Sequence, residues 1–142
     1  MAAELVETTR LWAREGVREA GTATVLVVEE EGVVRGLLMR ILSLEGYRVL
    51  GAASGSEAIV AAREGSIDLL VTGLAAADMS GADLAERLVA DRPGLAVLYL
   101  SGLGDRVEPR PGPSRPGVGL LARPITAEEL TRRVRELLEP SG

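Results

Sequence analysis

The chain has 142 residues, 46% of them hydrophobic, a length that suits one domain burying roughly 68% of the surface its unfolded form exposes. It contains neither cysteine nor histidine, which excludes thiol catalysis, disulfides, thiolate or imidazole zinc sites and any histidine general base; only oxygen-ligand metal chemistry stays open. The net charge is −5, and the sixteen basic residues, all arginine, form no basic tail, so nucleic acid is not an expected partner, because phosphate neutralisation needs clustered cations.

Residues 1–23 read as an N-terminal extension with a weak helical pattern, Leu5 and Trp12 standing one heptad apart with Val6, Ala13 and Val17 beside them, and Gly16 and Gly21 weakening it. Three readings stand for it: a frayed segment, a helical arm that forms a homodimer, or a linker stub from a larger signalling chain. It lacks the basic-then-apolar plan of a leader, and no apolar run in the chain reaches the ~18 residues of a membrane span. A cytoplasmic location with no membrane partner is the expectation.

The run "TVLVV" at 24–28 is β-branched and apolar throughout, as in a strand covered on both faces. Glu29, Glu30 and Glu31 follow it. A helical period then runs through Val33, Val34, Leu37, Leu38, Ile41 and Leu44 to Gly46, which stands where a left-handed helix terminus belongs. A short strand, "YRVLGA", comes next. Ser54 and Glu57 have capping-box spacing and open a helix carrying Ala58, Ile59 and Ala62 that stops at Gly65.

The third strand is "IDLLVT", broken at Gly73. Ser80 and Asp83 repeat the capping spacing before a helix from Gly81 that carries Leu84, Leu88 and Val89 and ends at "RPG". The fourth strand is "LAVLYL", residues 95–100. Residues 102–117 hold four glycines and four of the seven prolines, so a Pro/Gly-rich loop is expected where a fourth helix would otherwise stand. A short strand at "VGLLA" follows, then a helix capped by Thr126 and Glu129 with Leu130, Val134 and Leu137 or Leu138 on one face. The domain therefore spans 24–139, and 140–142 are a tail.

Alternating strands and helices of these lengths predict an α/β fold: a flavodoxin-like, doubly wound, five-stranded parallel sheet of order 2-1-3-4-5. Ligands of such folds sit beyond the carboxyl ends of the strands, which directs attention to Glu29, Glu30, Gly73, Ser101 and Arg123. With three aromatics, Trp12, Tyr47 and Tyr99, the core must be built mainly from interdigitated aliphatic side chains.

The motifs "VLVVEEEG", "GYRVLGAASGSEAI", "IDLLVTGL", "MSG", "VLYLSG" and "LLARPITAEEL", spread over 24–139, together resemble the receiver domain of two-component response regulators. In tone they are closest to receivers fused to hybrid sensor histidine kinases. The resemblance implies an acid pair after the first strand and an aspartate ending the third that hold Mg²⁺, the aspartate taking a phosphoryl group from a histidine kinase. It further implies a hydroxyl after the fourth strand and a lysine after the fifth that bind the phosphoryl oxygens.

Carried onto this chain, the acid pair falls on Glu29 and Glu30, each a methylene longer than the usual aspartates. The acceptor position falls on Gly73, which has no side-chain oxygen. Ser101 matches the hydroxyl, and Arg123 replaces the lysine. Pro124 keeps the family's proline, before which a cis bond is expected. Ala76 and Ala77 replace the usual Met-Pro, Met79, Ser80 and Gly81 keep the loop ending, and Leu120 replaces the rotating aromatic of the family's switch.

The reading that results is a degenerate pseudo-receiver in a phosphorelay, not an enzyme, acting through contacts with a histidine kinase or another signalling protein. Its cofactors are none, or at most weakly bound Mg²⁺ at Glu29 and Glu30. The alternatives are a small-ligand or anion sensor using the vacated pocket, and an inert decoy competing for a histidine kinase. Against these stand plainer readings: Gly73 as a turn glycine needing positive φ, Glu29 and Glu30 as a solvated acidic helix start, Arg123 in a salt bridge with Glu29 or Glu30, and Ser101 finishing its strand on nearby backbone. Asp68 reads as a cap at the far end of the sheet, and Asp78 as a remote substitute nucleophile.

Overall fold

A computed structural model describes residues 22–102 and 117–139. The expectations for the N-terminal extension and the Pro/Gly-rich loop fall, but for residues 22, 23, 102 and 117, outside these, as does the whole of the tail. Nine elements follow in order: β1 (Thr24–Val28), α1 (Gly32–Leu44), β2 (Arg48–Ala52), α2 (Gly55–Arg63), β3 (Leu69–Gly73), α3 (Gly81–Asp91), β4 (Ala96–Ser101), β5 (Val118–Ala122) and α4 (Ala127–Leu138). The strands form one parallel sheet of order β2-β1-β3-β4-β5, the predicted doubly wound topology.

The period-2 alternation of the strands divides the core in two. Leu26, Leu70, Val97 and Tyr99 point to the face covered by α2 and α3, where Ala58, Ala62, Leu84, Ala85 and Leu88 pack. Val25, Val27, Leu69, Val71, Leu98 and Leu100 point to the other face, under Leu38 and Leu42 of α1 and Leu130 and Val134 of α4. Each fully buried leucine contributes about 2 kcal/mol of transfer free energy, and both faces of β1, β3 and β4 are used. That explains why these strands read as unbroken apolar runs.

Local signals set the helix ends. Gly46 adopts φ 100°, its amide donates to the Ser43 carbonyl at 3.0 Å, and the Tyr47 amide reaches the Leu42 carbonyl at 3.3 Å. This is the two-bond Schellman closure of α1. Thr126 and Glu129 make both bonds of a capping box on α4. Ser54 accepts the Glu57 amide on α2, but Glu57 Oε1 accepts from the Ala53 amide instead of the cap residue's own. On α3 only the Ser80 half of the predicted box forms, through the Asp83 amide.

One expectation holds to within a residue and one is corrected. β3 ends at Gly73, which is its last member and still pairs with Leu100 of β4, because ladder bonds use backbone groups that every residue carries. The apolar period assigned to α1 is wider than the face it buries, since Val33, Leu37 and Leu44 are 83%, 57% and 64% exposed. No helix of the described residues is long and apolar enough to cross a membrane.

Candidate functional site

The carboxyl ends of the strands form a rim that gathers the residues singled out above. Glu29 follows β1, and its amide is held by the Ala52 carbonyl of β2 at 3.0 Å. The Arg35 guanidinium on α1 donates to the Glu29 carbonyl at 2.8 Å, so the residue's backbone is fastened on two sides. Its carboxylate is engaged at both oxygens. Oε1 accepts from Arg123 Nη2 at 3.1 Å, and Oε2 accepts from the Glu31 amide at 3.1 Å. The pair is largely shielded, with side-chain exposures of 25% for Arg123 and 14% for Glu29. Arg123 Nε is buried and has no hydrogen-bond partner.

The other positions divide. Glu30 lies exposed beside this pair and does not join it. Ser101 is the buried last residue of β4, paired with Ala122. The peptide bond between Arg123 and Pro124 is cis. Leu120 sits in β5 opposite Tyr99 and packs, partly buried, against the core on the α2 and α3 face.

Gly73 is not held in a left-handed conformation; among the described glycines only Gly46 and Gly117 have positive φ. A turn requiring positive φ therefore does not explain it. A Cβ there would stand 3.2 Å from the Ala75 carbonyl oxygen and 3.7 Å from that of Leu100, so a larger side chain needs only a small adjustment of the loop. Gly81 is different. A Cβ on it would collide with the Gly73 carbonyl oxygen, and its amide donates to the Leu74 carbonyl at 2.8 Å. The glycine that ends "MSG" is thus needed by backbone approach at the rim.

Sequence reasoning missed how the β3–α3 loop is held. The Ala76 amide donates to the Met79 carbonyl at 2.7 Å, the Gly55 amide to the Ala76 carbonyl at 3.0 Å, and Ala77 takes φ 68°, a region a non-glycine residue enters at some cost. Asp78 accepts from the Gly55 amide at 2.8 Å, the Ser56 amide at 3.3 Å and the Ser56 hydroxyl. It clamps the loop to the start of α2, and the Ser56 hydroxyl, foremost, holds its carboxyl below the usual carboxylate range. The 22 and 23 residues separating these partners leave no local spacing signal. Asp68, at the opposite end of the sheet, accepts the Thr24 amide at 2.8 Å.

A family model described as the response regulator receiver domain matches residues 25–135. The chain belongs to that family. It is 38% identical over 120 residues to a protein of Mycobacterium tuberculosis described as probable transcriptional regulatory protein TcrX, covering 84% of this chain and 51% of that protein. It is 34% identical over 122 residues to the sensor kinase CckA of Brucella abortus, covering 84% of this chain and 13% of the kinase. The chain thus spans about half the length of the first relative and a small part of the second. The crystal structure of the receiver domain from the hybrid histidine kinase CckA superposes with a TM-score of 0.69 at 32% identity, covering 82% of this chain and 99% of that one.

The receiver resemblance implies Mg²⁺ at this rim, and the donor set does not fit it. Mg²⁺ wants near-octahedral oxygen ligation with carboxylates free to enter. Here the third carboxylate is absent at Gly73, and both oxygens of Glu29 already accept bonds from protein donors. Among the described residues no cluster of three or more metal-ligating side chains exists.

Proposed function

We propose that this chain is a pseudo-receiver: a two-component signalling module that works through protein contacts and carries no aspartyl phosphate. Gly73 carries this reading. An acyl phosphate needs a nucleophilic carboxylate at the acceptor position, and glycine supplies no side-chain oxygen. Support comes from the commitment of Glu29 to Arg123 and the Glu31 amide. Asp78 offers no substitute, because its two oxygens are spent on Gly55 and Ser56.

The partner is a histidine kinase or another signalling protein in the cytoplasm, met through the face formed by β4, β5 and α4, with no catalytic turnover of its own. The sensor alternative is disfavoured by the same salt bridge, since a guanidinium neutralised by Glu29 has less attraction for an anion. Incubation with radiolabelled acetyl phosphate, and separately with a phosphorylated histidine kinase, tests the reading. No label should enter the chain, while the kinase is still retained on it in a pull-down. Stoichiometric incorporation of phosphate would falsify the pseudo-receiver assignment.

A further inference from the structure

We propose that Arg123 is the internal cation of this rim, occupying with its guanidinium the electrostatic role of a divalent ion and tying β1 to β5 without metal. The inference rests on the pseudo-receiver reading of the site and goes further, because it accounts for three substitutions with one arrangement. In the strand order β2-β1-β3-β4-β5, β3 and β4 lie between the strands that Glu29 and Arg123 follow. At ~4.8 Å per strand, β1 and β5 are about 14 Å apart. The contact between Arg123 and Glu29 therefore has to pass the ends of β3 and β4, where Gly73 and Ser101 stand. Such a bridge needs long side chains at its two ends and little between them. A glutamate, an arginine and a glycine supply that, whereas an aspartate at 29 is a methylene shorter and glycine at 73 adds no side chain to the end of β3.

Charge balance leads to the same arrangement. With no carboxylate at 73, the acids that follow β1 are Glu29, Glu30 and Glu31, and Asp78 is engaged by Gly55 and Ser56. One guanidinium neutralises the shielded Glu29, and Glu30 and Glu31 lie exposed. Mg²⁺ sheds its water reluctantly, and exposed carboxylates with no partner group at 73 give it little reason to do so. A guanidinium is more weakly hydrated than an ammonium and makes directed bonds, so it is the basic group suited to a partly buried carboxylate. Its shielding also makes the bridge less sensitive to salt than a surface pair.

The test is binding of Mn²⁺, as a probe for divalent ions, followed by electron paramagnetic resonance and calorimetry on four proteins of this chain: wild type, Gly73→Asp, Gly73→Asp with Arg123→Lys, and Gly73→Asp with Arg123→Gln. Circular dichroism verifies that each is folded. Wild type should show no saturable binding. Gly73→Asp alone should bind at least about tenfold more weakly than either double variant, because the guanidinium still holds Glu29. Saturable binding by wild type, equal affinity of Gly73→Asp and both double variants, or no gain in either double variant overturns the proposal. These outcomes are independent of phosphate labelling: an unlabelled protein that binds Mn²⁺ retains the pseudo-receiver reading and loses the internal cation.

Discussion

The foot and the rim of the sheet use charged side chains in different ways. At the foot, Asp68 accepts the Thr24 amide, and the Arg92 guanidinium donates to the Ala62 and Gly65 carbonyls at the end of α2. These bonds join side chains to backbone groups, which are present whatever residues surround them. The rim has bonds of this kind too, made by Arg35, Glu29 and Asp78, but it adds one that joins two side chains, Glu29 and Arg123, and so depends on the identity of both. The backbone frame is the same kind of structure at both ends. Side chains at the rim can therefore differ without loss of fold, because they carry no ladder bond.

The sharpest way to break that comparison is to disturb rim backbone instead of rim side chains. Gly81→Val forces a Cβ onto the Gly73 carbonyl oxygen, a backbone atom that cannot rotate away, and should cost about 3 kcal/mol, or roughly 10 °C in Tm. Asp68→Ala at the foot removes one charge-assisted bond and should cost about 1 kcal/mol. Thermal unfolding by circular dichroism checks both. A Gly81→Val protein as stable as wild type would show that the rim backbone is plastic, and the contrast with side-chain chemistry would fail.

A smaller effect separates the two acids of the rim. Glu29→Gln breaks a shielded ion pair and should cost about 1.5 kcal/mol, while Glu30→Gln, at an exposed side chain, should stay within about 0.5 kcal/mol. Urea titrations of the two variants measure the difference directly. Equal losses would mean that Glu30 shares the charge of Arg123 in solution.

Much of the fold is legible because its signals are local. Ser54, Ser80 and Thr126 each stand three residues before the amide they accept, and Gly46 lies just past the C-cap, Glu45, of the helix it closes. The strands are readable because burial on both faces removes polar residues from them. What the sequence misleads about is also physical. Val33, Leu37 and Leu44 continue the period of α1 past the face that the core can cover. That the site residues gather at one end follows from strand direction alone. Which of them touch does not, since Glu29 and Arg123 are 94 residues apart and several acids could have answered one arginine.

The Asp78 clamp gives the smallest effect, one visible chiefly in its pH dependence. Its carboxyl is held below the usual range, first by the Ser56 hydroxyl and further by the Gly55 and Ser56 amides. A group whose folded pKa is depressed stabilises the protein above its unfolded pKa, about 4, and loses that contribution as pH falls through the lower folded value, because the unfolded chain binds the proton first. Asp78→Asn retains a carbonyl acceptor but has no charge to titrate. Wild type should therefore be the more stable protein at pH 7, and the gap should close as the pH is lowered below about 4. Paired melting curves across that range measure it. A gap that stays constant would place the contribution of Asp78 in shape and not in charge, and the rim would then hold one titratable clamp fewer than its geometry implies.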